Sequence, residues 1–286
     1  MSSTVIVRTD DRLRLAGTLL AASAWPDHEQ NVKAYKPHRV AEQAHKHFIS
    51  AGSHPAVTGA LALVGAGEGL TALYSHALNA DWPGDLAAQV ADFKATVQPE
   101  TFWAETHADW EQAENDVRAV LARADLAQFL ADLFGPPAHP LGFAPNLLYP
   151  GRQSVAARSA EEVMVCAPPP IAWGTSPPWR YSERPDEVLA ALSEAFTRFL
   201  FEIHLPSEHE SLRPRAGVFA LASAVLFLRQ AEGEAAGDQF MVMEKRTRNL
   251  PNLPAVVAVL DPILADRRAG KYAGFADYAP QLRGLI

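Results

Sequence analysis

The sequence predicts an α+β fold, predominantly helical, in a single domain with a small β-sheet. Three features carry that expectation. Residues 1–135 place apolar side chains at helical spacing, 136–181 are rich in proline and short strand-like words, and 182–286 return to helical spacing. Of 286 residues, 48% are hydrophobic and 20% charged, which supplies a sizeable core and argues against a disordered chain.

Taken in order, "STVIVR" reads as a short opening strand. "DDRLRLAGTLLAASAW" follows as an amphipathic helix, with Leu13, Ala16, Leu19 and Leu20 on one face and Asp10 or Asp11 as cap. Helices are expected at "HRVAEQAHKHFISAG", "HPAVTGALALVG", "GLTALYSHAL", "DLAAQVADFKATV", "TFWAETHADWEQAENDVRAVLARA" and "LAQFLADLF", making 1–135 a helical layer. Within 136–181, "PNLLYPG" and "EEVMVCAPPP" read as strands and "AWGTSPPWRY" as a loop. Helices resume at "RPDEVLAALSEAFTRFLFEIH", "AGVFALASAVLFLRQAEGEAA" and "LPAVVAVLDPILADRRAG". No repeat or linker divides residues 1–286.

A formal charge of −8 leaves no excess of cations to neutralise phosphates, so nucleic acid is not an expected partner. The longest apolar run, Val218 to Leu228, is shorter than the roughly 20 residues of a bilayer span. The opening "MSSTVIVRTDDRLRL" lacks the pattern of a secretory signal, and a cytoplasmic protein with no membrane partner is expected. The lone Cys166 forms no intramolecular disulfide and reads as a small buried hydrophobe.

Several words invite chemistry. His38 and His45 share a helical face while His47 points about 200° away from His45, a weak metal pair better read as a helix face. In "VGAGEGL", Gly65 and Gly67 match two glycines of the dinucleotide fingerprint but Leu70 holds the third position, so a turn is expected. No "GxSxG" elbow occurs. Trp173, Trp179 and Tyr181 sit in a proline-stiffened stretch, either a recognition surface for a protein or peptide ligand or cover for the sheet and core.

The stretch 185–204 is the most informative. Pro185 with Asp186 and Glu187 starts a helix, Pro206 ends it, and Leu189, Leu192, Phe196, Phe199, Leu200 and Ile203 form its apolar stripe. Ser193, Thr197 and His204 fall along one flank, with Glu194 and Phe201 just beyond. In a thermolysin-type zinc site, two histidines at i and i+4 hold the metal and a glutamate at i+1 is the base. Here those offsets read Ser193, Glu194 and Thr197, so the base is present without its ligands.

The order "DDRLRLAGTLL", "HPAV" at 54–57, "NLLYPG", "VMVCAPPP" and then this helix resembles the DUF4932 family of bacterial zincin-like proteins. The resemblance implies a small sheet next to a zincin-like central helix, with the metal ligands falling on Ser193 and Thr197, which do not match. The family's further acidic ligand belongs to the next helix, which offers no acid before Glu232. The expectation is therefore a catalytically inactive zincin-like protein with a binding or regulatory role, a vestigial Glu194 and no cofactor, its contact surface being the old cleft with Ser193, Thr197 and His204 and the stretch with Trp173, Trp179 and Tyr181. The alternative is a zinc-dependent hydrolase with a site rebuilt around His204 and His209, aided by Glu208 and Glu210.

Overall fold

A computed structural model describes residues 4–32, 36–65, 69–148, 153–171 and 180–285. Among these the chain is α+β and predominantly helical, as expected, with 14 α-helices and one four-stranded sheet. Its contacts group it into two compact units: one of residues 6–119 and 142–184, the other centred on 120–141 and 185–285.

In the first unit, strand β1 (Ile6–Val7) leads into helix α1 (Asp11–Ala21). Asp10 caps α1 by accepting the Arg12 N–H, and the anticipated stripe of Leu13, Ala16, Leu19 and Leu20 is no more than 2% exposed. An unforeseen helix α2 (Trp25–Val32) follows, then α3 (Arg39–Phe48), α4 (Pro55–Leu63), α5 (Gly69–Asn79) and α6 (Leu86–Val97). The long helix expected next is two, α7 (Pro99–Glu105) and α8 (His107–Leu121). Thr106 joins them: its hydroxyl donates to Phe102 O (2.8 Å) and accepts the Trp110 indole N–H (3.2 Å).

The sheet runs β1-β2-β4-β3, with β2 at Leu141–Pro145, β3 at Val155–Arg158 and β4 at Val163–Ala167. β1 lies parallel to β2, and β3 antiparallel to β4. The strand expected at "PNLLYPG" instead lies just before it, and β3 was not anticipated. Gly142 explains part of this shift, because a Cβ there would sit 2.1 Å from Met164 Sδ. The glycine weakens the strand signal and is needed for the buried Met164 to cross β2. An ionic network binds the start of the unit to the β3–β4 turn: Arg8 donates to Glu162 (2.5 Å) and Arg12 to Asp10 (2.7 Å).

The second unit contains α9 (Leu126–Phe134), α10 (Pro185–His204), α11 (Ala216–Glu232), α12 (Glu234–Thr247), α13 (Leu253–Arg268) and α14 (Phe275–Tyr278). Residues 219–228 of α11 are buried without a break, the mark of a helix enclosed on all sides. With the 3-10 segment before it, α11 forms a 26-residue stretch long and apolar enough, by length and composition, to cross a membrane. Its apolar side chains are nevertheless taken up by this unit's core, where Phe219 packs on Phe134, Phe201 and Phe275. Gly237 lets α12 approach, since a Cβ there would lie 2.7 Å from Val225 O.

Candidate functional site

Helix α10 begins at Pro185 as expected, but its buried arc is turned toward the Ser193–Thr197 flank. Leu189, Leu192 and Phe196 are fully enclosed, whereas Phe199 is half-buried and Ile203 is 40% exposed. Ser193 and Thr197 are both 0% exposed, and among the described residues neither hydroxyl has a hydrogen-bond partner. Helix α11, the principal neighbour of α10, supplies Ala220, Ser223 and Ala224 to the same core. Small polar side chains are thus treated as core wherever two helices pack closely.

Glu194 sits at the edge of this arc and is engaged at both oxygens. Arg248, the residue that ends α12, donates through Nη1 to Oε1 (2.6 Å) and through Nη2 to Oε2 (2.9 Å). Its Nε lies 2.5 Å from Glu244 Oε2, a second ion pair. Burial works against the Arg248 cation, and the two carboxylates outweigh it, so its pKa is raised above the ordinary guanidinium value. These positions do not fit a zinc ion: Ser193 and Thr197 are neutral hydroxyls inside the core, and the charge of Glu194 is already balanced.

The other anticipated site residues are dispersed. His204 is half-buried and stacks on Phe134 with centroids 5.5 Å apart, and burial lowers its basicity. His209 lies in the 3-10 segment after Pro206, its N–H donating to Pro206 O at 2.9 Å. Among the described residues, no group of three or more His, Cys, Asp or Glu is arranged to hold a metal. Tyr181 is 2% exposed; its hydroxyl donates to Ala167 O (2.6 Å) and accepts the Asn146 N–H (3.3 Å), pinning the ends of β2 and β4. Trp173 and Trp179 lie outside the described residues, as does Gly67.

The histidines of the first unit have separate tasks. His38 and His54 cap α3 and α4, each accepting a backbone N–H at Nδ1, from Val40 (3.3 Å) and Ala56 (3.2 Å). His45 Nδ1 lies 2.8 Å from Ala21 O, and the His47 ring leans on Phe102 at 5.1 Å.

One concave surface was not anticipated. Arg39, Gln43, Lys46 and His47 of α3 face Phe102, Glu105, Thr106 and Asp109 of the α7–α8 corner across a groove of about 480 Å³. The Arg39–Asp109 ion pair (2.5 Å) spans its two walls, and Lys46 pairs with Glu42 (2.6 Å). The spacing 39, 43, 46 and 47 is one helical face, a signal visible in the sequence. Its opposite wall lies some sixty residues onward and is brought there only by the fold. Comparison with family models, curated proteins and solved structures finds no match to this chain.

Proposed function

We propose that this chain is a non-catalytic binding protein, in which α10 is a structural helix and the α3–α7–α8 groove is the contact surface for a protein or peptide ligand. The observation that carries the reading is the two-point hold of Arg248 on Glu194. A carboxylate accepting both arms of a guanidinium has its lone pairs directed at that cation and is poorly placed to take a proton from water. Cations on one wall and carboxylates on the other suit a peptide of mixed charge better than a polyanion. A cytoplasmic setting, and a zincin-like ancestry with the metal positions lost, belong to the same proposal.

Peptides selected from a displayed library on the purified chain test it. Reversal of the basic wall by Arg39→Glu with Lys46→Glu is expected to weaken their binding about tenfold or more. Cleavage of fluorogenic peptides by the wild-type chain, abolished in Glu194→Gln, overturns the reading. The alternative, a zinc hydrolase rebuilt on His204 and His209, requires stoichiometric zinc in the purified protein that is lost on His204→Ala.

A further inference from the structure

We infer that the His38 cap of α3 is an acid-sensitive latch that loosens the first turn of that helix as pH falls. An imidazole accepts a hydrogen bond at Nδ1 only while that nitrogen carries no proton. His38 accepts the Val40 N–H there, so protonation turns the acceptor into a donor aimed at another donor. His45 provides the contrast: its Nδ1 faces the Ala21 carbonyl oxygen, an acceptor, and not a backbone N–H.

At His38 the nearby charges are Asp109 of α8, already paired with Arg39, and Arg39 itself; α1 contributes none among the described residues. His38 therefore loses its cap with no ion pair in return. Burial holds the His38 imidazole below its usual value, Asp109 opposing the shift and Arg39 adding to it. Folded α3 then binds this proton less readily than the unfolded chain does. The stability lent by His38 is present above the unfolded value of about 6.5 and declines as pH falls below it. Four groove residues lie on α3, so the latch bears on the groove, although the cap chemistry holds whether or not the groove binds a partner.

Hydrogen exchange at about pH 7 and about pH 5, corrected for the intrinsic rate, tests the latch. In the wild type, protection of amides 40–43 is expected to drop about fivefold in acid, the effect of losing one cap. In His38→Asn, whose amide caps without titrating, it is expected to hold. An equal response in both proteins overturns the inference. If His38→Asn does not fold, imidazole ¹⁵N shifts of the wild type decide. An unprotonated Nδ1 at about pH 7 that protonates as the α3 amides shift supports the latch, and an Nδ1–H at about pH 7 refutes it.

Discussion

Replacing Thr197 by valine should stabilise the protein. The Thr197 hydroxyl is 0% exposed and has no hydrogen-bond partner among the described residues, so folding strips it of water with nothing in return. Such a loss costs about 1–3 kcal/mol, and valine fills nearly the same volume without it. Threonine and valine have similar helix propensities, so no large backbone effect offsets the gain. The expected increase is about 1 kcal/mol, taking the low end because the core adjusts around a new methyl group. Ser193→Ala, one turn away, removes a second unpartnered hydroxyl and adds a better helix former, for a further gain of about 0.5–1 kcal/mol. As i, i+4 neighbours the two changes are expected to couple, so the double variant must be measured and not summed. Urea titration followed by circular dichroism should show a higher midpoint at unchanged slope. A loss of more than about 1 kcal/mol in either variant would mean that the hydroxyl holds a partner, and the reading of this flank as plain core would fail.

Two further substitutions probe the packing. Arg248→Ala should destabilise by about 1–3 kcal/mol in the same titration, because the mostly buried Glu244 and the engaged Glu194 lose their shared cation. Gly142→Ala should cost about 1–3 kcal/mol, since its Cβ meets the Met164 side chain, and in thermal unfolding the same change should cost less when made in a Met164→Ala background, although Met164→Ala is itself destabilising.

Elements governed by local chemistry were legible in the sequence. The α1 stripe and its Asp10 cap, the Pro185 start of α10 and the separate helices α3 to α6 follow from periodicity and capping alone. Elements whose logic is non-local were not. β2 contains a glycine required by Met164 on a strand some twenty residues away, and β3 reads "VAAR", two alanines with little strand preference. Helix α2 is too polar to show a stripe. At the candidate sites the limit was the same. The flank of α10 bearing Ser193 and Thr197 was visible, but its burial is decided by the packing of α11. Glu194 was found, whereas its partner Arg248 lies 54 positions further on. The histidines were visible as a cluster, and only backbone geometry shows two of them to be caps.

Engagement of the Glu194 carboxylate by Arg248 is what makes α10 structural and not catalytic. A double-mutant cycle on unfolding free energy, using Glu194→Gln, Arg248→Met and the pair, measures that engagement directly. The bidentate geometry at 2.6 and 2.9 Å, with Glu194 only 18% exposed and Arg248 44%, predicts a favourable coupling of about 1–2 kcal/mol. A coupling indistinguishable from zero would contradict this engagement and leave Glu194 free to act as a base.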